Sequence, residues 1–224
     1  MKLLHAVKPL RTLAAWTLAA ALLVSCQSTP IKGPPATAQS IAQREVSLAA
    51  LKPWRALGSL VIESKKQGVF NVSFAWDANL DGFDIKLFGP LGVQAYRVTQ
   101  ASGSSRLVSK EDTFVGDSAE SLLLDALGVR VPLNSMQDWV VGLQGDATRI
   151  ERDRSGLLRE LVVAGEQEQQ WDVNFRRYTR HDNLALPSFI VVKGDGLEIR
   201  MTVKKWTKPK ATSNGRLRVP GVDS

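Results

Sequence analysis

A strict alternation of apolar and polar residues is the feature that most constrains the fold of this chain. In the stretch VFNVSFAW, Phe70, Val72, Phe74 and Trp76 fall on one face of an extended strand. The segments FDIKL, WDVNF and LEIRMTVKKW repeat this period of two, which is typical of strands with one buried and one hydrated face. Turn residues separate the segments at 65–68, 79–82, 89–92, 101–104 and 193–196. The chain is therefore predicted to be mainly β, an antiparallel meander that curls into a sandwich or barrel.

Two short helices interrupt this pattern in the middle of the chain. Asp117 or Ser118 fits the N-cap of a helix that runs through Leu127 and stops at Gly128.

The second helix follows Pro132 and covers residues 135–141, with Asn134 as its predicted cap and Gly142 as its stop. Both helices carry apolar stripes. They either fill the curved sheet as ordinary core or cover a cavity as a lid, and periodicity alone favours core.

The first 25 residues have the layout of a signal peptide. Lys2, Lys8 and Arg11 accompany an apolar run over residues 13–24, interrupted only by Thr17. A run of about a dozen residues is too short to cross a bilayer, which needs about 20. Residues 1–25 are therefore predicted to be removed on export.

Cys26 is the only cysteine in 224 residues, so it has no partner for an intramolecular disulfide. The sequence Leu23-Val24-Ser25-Cys26 resembles the lipobox of bacterial lipoproteins, in which the chain is cut before an acylated cysteine. We therefore expect Cys26 to be a lipid attachment point, which gives durable anchoring. In that pattern an aspartate after the cysteine favours the inner membrane, so Gln27 favours the outer membrane.

The rest of the chain divides simply. Residues 26–36 are rich in Pro, Gly, Ser and Thr and are predicted to form a lipidated flexible tether. Residues 37–206 form the predicted domain, which opens with a helix over 37–52 that Pro53 ends. Residues 207–224 have little apolar content and are predicted to be a disordered tail.

Charge and residue inventory argue against several classes of function. Without Lys2, Lys8 and Arg11 the net charge falls from +7 to +4, and no basic block indicates nucleic acid. His181 is the only histidine outside the predicted signal peptide and lies in a charged connection. No motif of a nucleophilic hydrolase, a zinc site or a phosphate-binding loop occurs. We therefore expect no catalytic residues, no metal and no cofactor, although a hydrolase that uses only carboxylates stays open.

Five collinear motifs resemble the family of the outer-membrane lipoprotein receptor LolB. They are VSFAWD, GPLG, VPLNSMQDWVVGLQGDA (131–147), WDVNF and MTVKKW, and the resemblance covers residues 45–206. It implies a half-open antiparallel β-barrel of about eleven strands, with helices as a lid over an apolar cavity. Trp76, Trp139, Trp171 and Trp206 match the family's aromatic positions, whereas Trp54 has no counterpart.

The resemblance also implies a function. Family members accept acylated lipoproteins from a soluble periplasmic carrier and insert them into the inner leaflet of the outer membrane. We accordingly expect a monomer in a Gram-negative bacterium, lipid-anchored on the periplasmic side, with those lipoproteins, that carrier and outer-membrane lipid as partners. The predicted acyl-binding cavity is lined by six aromatic residues: Phe70, Phe74, Trp76, Trp139, Trp171 and Phe175.

Leu91 occupies the tip of the turn Gly89-Pro90-Leu91-Gly92. Pro at the second and Gly at the fourth position suit a type I turn in which leucine merely fills the gap. An apolar turn centre is unusual, however, because it is held out in water. A leucine at the matching place in the LolB family protrudes and helps deliver cargo, so the resemblance implies that Leu91 dips into the lipid interface during release.

One alternative function stays open. The same curved sheet could belong to an envelope lipoprotein that stores or carries a lipid or another apolar ligand. Tightly bound free lipid in the purified protein would favour that function, whereas a site-specific crosslink to a periplasmic carrier would favour the receptor.

Overall fold

The computed structural model describes residues 34–165 and 169–209, and these form three α-helices and eleven β-strands. The predicted signal peptide, Cys26, residues 26–33 of the tether and residues 210–224 of the tail lie outside the described residues. The elements in chain order are α1 (Ala38–Ala49), β1 (Trp54–Ser64), β2 (Gly68–Ala78), β3 (Gly82–Phe88), β4 (Gln94–Ala101), β5 (Ser104–Val108), β6 (Thr113–Gly116), α2 (Ala119–Leu127), α3 (Leu133–Val141), β7 (Ala147–Arg152), β8 (Leu158–Ala164), β9 (Gln170–His181), β10 (Leu184–Gly194) and β11 (Leu197–Thr207).

The strands form one open antiparallel sheet in the order β6-β5-β4-β3-β2-β1-β11-β10-β9-β8-β7. Every strand pairs with the next one along the chain except β6 with β7, and the pairing of β1 with β11 joins the two halves. β6 and β7 are the edges of this sheet. The predicted mainly β, half-open architecture of eleven strands is confirmed.

Because consecutive strands are antiparallel, their turns alternate between two ends of the sheet. We call one the Leu91 end, which carries the β1–β2, β3–β4, β5–β6, β8–β9 and β10–β11 connections. The other is the tether end, where β1 begins and β11 finishes. There the Ala36 N–H donates to the Arg154 carbonyl at 2.9 Å, in the β7–β8 turn. The segment that leads back to Cys26 therefore leaves the domain at the tether end.

Alternation buries one face of the sheet, which we call the inner face, but it fails near the end of β11. Residues Leu197, Ile199, Met201 and Val203 lie on the inner face, so strict alternation would turn Trp206 outward. The pairing register shifts from Gly58↔Val203 to Leu57↔Lys205, which is a β-bulge. Trp206 is consequently only 6% exposed and belongs to the core.

α2 matches its predicted boundaries. Ser118 Oγ accepts hydrogen bonds from the N–H groups of Glu120 and Ser121 at 3.2 and 3.5 Å. Gly128 ends the helix with φ 64°, a left-handed conformation that favours glycine.

The predicted Asn134 cap of α3 is wrong. The helix begins at Leu133 with Pro132 as its N-cap, and no side chain of its own caps it. Instead the Asn134 N–H donates to Glu120 Oε1 at 3.0 Å, and Asn134 Oδ1 accepts from Gln100 Nε2 at 3.0 Å. A carboxylate from α2 therefore satisfies a free N–H of α3.

Unlike α3, α1 is capped by the side chain of its own N-cap residue. It is shorter than the predicted 37–52 and has Thr37 as N-cap, in a reciprocal hydrogen-bond pair with Ser40.

We predict that Gly58→Ala lowers the free energy of unfolding by about 1–3 kcal/mol. A Cβ at this position would lie 1.9 Å from the Thr202 carbonyl oxygen and 2.8 Å from Cε1 of Phe74, so the β1–β11 pairing or the Phe74 ring must shift. Urea denaturation of both proteins measures the loss.

Gly89→Ala is the matched control. A Cβ there meets only the Val93 carbonyl oxygen, at 4.0 Å, and the backbone φ is −75°. Equal losses in the two variants would contradict the steric explanation.

Candidate functional site

Five of the six predicted cavity residues are buried in the hydrophobic core of the inner face. Phe74, Trp76, Trp139, Trp171 and Phe175 are each 1–3% exposed. Phe70 pairs with Ile62 at the Leu91 end of the sheet and is 47% exposed, outside the buried core. These residues share a face of the sheet and its covering helix, but they do not line one open cavity.

The helices cover the inner face closely. Met136, Trp139 and Val140 of α3 face Ile190, Val192 and Met201 of the sheet across a space too narrow for a water molecule. Hydrogen bonds also connect the helices to their surroundings, for example from Lys52 Nζ to Gln137 Oε1 at 3.4 Å and from the Ala119 N–H to Gln100 Oε1 at 3.2 Å. Burial raises the pKa of Asp138 in α3, and the charge of Lys52 opposes that rise.

Three tryptophans form a cluster near the tether end that the predicted cavity did not include as a group. The ring centroids of Trp54 and Trp76 are 5.8 Å apart, and those of Trp54 and Trp206 are 5.6 Å apart. Phe83 extends the cluster at 6.2 Å from Trp76. Of these residues, sequence reasoning placed only Trp76 in the cavity. In β1, Trp54 lies two residues from Ala56 and therefore on the same face of the strand. This spacing is a sequence signal that could have identified Trp54.

The indole N–H groups of Trp54, Trp76 and Trp206 are buried without an acceptor among the described residues. An indole nitrogen only donates, so the three rings cannot satisfy one another. A buried donor without a partner costs about 1–3 kcal/mol. The cluster thus combines a large apolar surface with donors that an entering acceptor could satisfy.

A hollow of about 550 Å³ opens at the Leu91 end, between the β3–β4 turn, the β5–β6 turn and the end of α2. Residues of the inner-face strands and turns, together with residues of α2, supply its apolar lining. These residues are Pro90, Val93, Tyr96, Leu107, Phe114, Ala126 and Leu127. The volume lies within the roughly 300–1,000 Å³ of small-molecule sites.

A second hollow of about 350 Å³ includes Trp171, Pro132 and Val163. The larger hollow includes the end of α2, whereas the smaller one includes Glu120 near the start of α2 and the first residues of α3.

Leu91 is fully exposed at the rim of the larger hollow. Its backbone has φ 63° and ψ 13°, which differs from the type I turn considered as the alternative in which leucine merely fills a gap, because the third residue of that turn has φ near −90°. The Gly92 N–H donates to the Gly89 carbonyl at 3.2 Å, and the Gly89 N–H to that of Val93 at 2.9 Å. A left-handed conformation costs a branched side chain about 1–2 kcal/mol. This leucine therefore carries strain without any packing in the domain to offset it.

The ionised groups of strands β1 to β4 lie on the outer face. Asp84 is buried there and accepts two hydrogen bonds from Arg97, at 3.0 and 2.7 Å. The hydrogen bond with Asp84 raises the pKa of the Arg97 guanidinium. Burial raises the pKa of Asp77, and the charge of Arg55 opposes that shift. The inner face of these strands is left to apolar and aromatic side chains.

Residues 34–165 and 169–209 contain no group of three or more His, Cys, Asp or Glu side chains that could hold a metal ion. No helix in these ranges is both long enough and apolar enough to span a bilayer. His181 is the last residue of β9, and its Nε2 lies 3.9 Å from the carboxylate of Asp182 in the turn that follows.

Residues 52–206 match the family model of the outer membrane lipoprotein LolB. This chain belongs to the LolB family. The chain is 28% identical over 192 residues to the outer-membrane lipoprotein LolB of Klebsiella pneumoniae strain 342, which covers 84% of this chain and 94% of that protein. A LolB from a second Klebsiella pneumoniae strain, MGH 78578, gives the same identity and coverage.

Among solved structures, a LolA superfamily protein from Nitrosomonas europaea aligns with a TM-score of 0.46 and 9% identity. That alignment covers 80% of this chain and 96% of the other.

Membership of the LolB family identifies the chain as an outer-membrane lipoprotein of a Gram-negative bacterium. The matched region begins just before β1 and ends at Trp206, so it contains nearly the whole sheet and both inner-face helices. It also contains the tryptophan cluster and the Leu91 turn. α1 lies outside the match.

We predict that Leu91→Gly leaves the free energy of unfolding unchanged or raises it by up to about 1 kcal/mol. Glycine relieves the left-handed strain, and the substitution removes no packing, although glycine adds entropy to the unfolded chain. Urea denaturation tests this.

Leu80→Gly is the control, since Leu80 is 85% exposed in the β2–β3 turn and is not in the left-handed region. It should lose stability. A loss for Leu91→Gly as large as that for Leu80→Gly would contradict strain at Leu91.

Proposed function

We propose that this protein accepts acylated lipoproteins from a soluble periplasmic carrier and inserts them into the inner leaflet of the outer membrane. The observation that carries the proposal is the fully exposed, strained Leu91 at the rim of an apolar hollow. Family membership supports the same role. The proposed work is binding and transfer, without catalysis.

The inner face supplies what an acyl chain requires. A lipoprotein in the aqueous periplasm must shield its acyl chains, because each exposed methylene costs about 0.8 kcal/mol. Phe74, Trp76 and Phe175 present rings without polar groups other than the indole N–H. The unpaired N–H groups of the tryptophan cluster would donate to the ester or amide carbonyls of an acylated cysteine.

Binding requires the helices to move. The space between Met136, Trp139 and Val140 of α3 and the sheet admits no water molecule, so acyl chains reach this part of the inner face only when α3 separates from it. The hollows beside the ends of these helices would be where separation starts. The incoming methylenes then replace the helix contacts that are lost.

Transfer needs no energy source if each acceptor binds more tightly than the donor. A tenfold preference corresponds to about 1.4 kcal/mol, which burying two additional methylenes supplies. Leu91 assists the last step by entering the lipid interface. Its insertion buries an apolar side chain that the folded domain leaves in water.

The anchor belongs to the same proposal. Cys26 carries the protein's own acyl chains and holds the domain beside the membrane that receives the cargo. Two lipid signals are enough for stable attachment, and an acylated lipoprotein cysteine has at least that many. Cys26 takes no part in cargo binding.

We predict that Leu91→Glu slows transfer of a lipoprotein from the carrier to liposomes by at least about tenfold. A carboxylate at the turn must be dehydrated to enter the interface, which costs more than a leucine gains. The measurement is the rate at which carrier-bound lipoprotein becomes liposome-associated.

Leu80→Glu provides the control for a charged residue on an exposed turn, because Leu80 lies at the opposite end of the sheet. Capture of cargo from the carrier should stay normal in both variants. If Leu91→Glu releases cargo as fast as wild type, Leu91 has no role in insertion.

Depletion of the protein in its own host tests the function as a whole. Other outer-membrane lipoproteins should accumulate on the soluble carrier in the periplasm, since the acceptor is missing. Fractionation and immunoblotting measure this. Normal sorting would exclude the receptor function and favour storage or transport of a free lipid.

A further inference from the structure

Five exposed arginines lie on neighbouring elements in the tether-end half of β8 and β9. Arg154 is in the β7–β8 turn, Arg159 follows at the start of β8, and the other three are near the end of β9. We call this group the arginine patch: Arg154, Arg159, Arg176, Arg177 and Arg180. β8 and β9 pair over residues 160–164 and 170–174, and the Tyr178 hydroxyl donates to the Leu158 carbonyl at 2.8 Å, so the tether-end parts of the two strands that carry the arginines lie side by side.

The patch is not neutralised by the carboxylates around it. None of its members forms a salt bridge within the described residues. Arg177 lies over the Phe189 ring at 5.1 Å, a contact that leaves its charge in place.

Nearby acidic groups are engaged elsewhere or lie at the margin. Asp153 Oδ1 accepts hydrogen bonds from Ser155 and Leu157. Glu160 pairs with Arg149, and Asp182 is beside His181 at the hairpin tip. The patch therefore keeps an excess of positive charge at the surface.

The chain that leads to Cys26 leaves the domain within the patch. The Ala36 N–H donates to the carbonyl of Arg154, which is itself a patch residue. Ten residues separate Ala36 from Cys26, and ten residues span at most about 36 Å. An acyl anchor at Cys26 thus keeps the patch close to the membrane surface.

We propose that the arginine patch binds anionic phospholipid head groups of the membrane in which the protein is anchored. This rests on lipid attachment at Cys26, as in the proposed function. Guanidinium groups pair with phosphates through two parallel hydrogen bonds, and each basic residue at an anionic surface contributes roughly fivefold to binding. In this orientation the tether end rests on the lipid and the Leu91 end faces the periplasm.

The test measures which end of the anchored protein is near the lipid. The lipidated protein is placed in vesicles of phosphatidylethanolamine with phosphatidylglycerol, or in vesicles of phosphatidylethanolamine with phosphatidylcholine. Because Cys26 is acylated, a cysteine introduced by Asn183→Cys or Gln67→Cys is the only free thiol for a fluorophore. Asn183 lies at the tether end and Gln67 at the Leu91 end.

A nitroxide on the lipid head groups should quench the label at residue 183 more than that at residue 67. The difference should require phosphatidylglycerol and decline at high salt, where the Debye length shortens. Combined Arg176→Gln, Arg177→Gln and Arg180→Gln should reduce the preference at least tenfold. Removing equal charge by Lys65→Gln, Lys66→Gln and Lys110→Gln at the Leu91 end should leave it unchanged.

Equal quenching of the two labels, or quenching indifferent to phosphatidylglycerol, would overturn the proposal. An equal effect of the arginine and lysine variants on the quenching preference would also overturn the proposal, because the net charge of the protein would then explain the preference. If the arginine variant instead loses binding to the periplasmic carrier and keeps its quenching, the patch binds protein. None of these readouts uses lipoprotein transfer, so each can fail while the proposed function stands.

Discussion

The pairing of β1 with β11 is the interaction on which the rest of this fold depends. Strands β1 to β6 and β7 to β11 each form a meander of neighbours in sequence, and only this ladder joins them into one sheet. The two strands are separated by more than half of the chain, so their pairing must overcome a large loop-closure entropy. Gly58 permits the close approach, and the adjacent bulge turns Trp206 inward beside Trp54. The aromatic cluster therefore exists because the two halves meet here.

Much of this architecture follows from local rules that a sequence displays. Alternation identifies the strands and their buried face, and Ser118 and Gly128 mark the bounds of α2 because caps are local. The misses have a common cause, which is that the deciding contact lies elsewhere in the chain. Trp206 faces inward because of a bulge opposite Gly58, and α3 begins where Glu120 of α2 can cap it. The left-handed backbone of Leu91 also escapes local rules, since a branched residue normally avoids it.

The aromatic site is tightly covered by helices, and the proposed binding of acyl chains requires that cover to open. Its aromatic side chains are buried in the core beneath the helices rather than arranged around an empty cavity, so this apolar surface is sheltered from water. A permanently empty apolar cavity would be destabilising by the contacts it lacks. Packing helices over the sheet avoids that loss, and the unpaired indole N–H groups moderate the stability of the closed arrangement. Sequence periodicity could therefore not separate core from lid, because in the proposed function the same helix residues would serve as both.

The positions of the two membrane-directed features explain how one domain could both receive and deliver. The tether leaves at one end of the sheet and Leu91 lies at the other, about 36 Å away along an eleven-residue strand. Contact through the arginine patch would contribute about 1 kcal/mol for each arginine near the surface. Burying Leu91 in lipid would contribute roughly 1.5–3 kcal/mol. The five arginines together therefore favour the tether end at the membrane, and a difference of a few kcal/mol still lets a minority of molecules present the Leu91 end to the lipid. The tether can span the length of the domain, so the protein can turn from carrier to membrane by thermal motion alone.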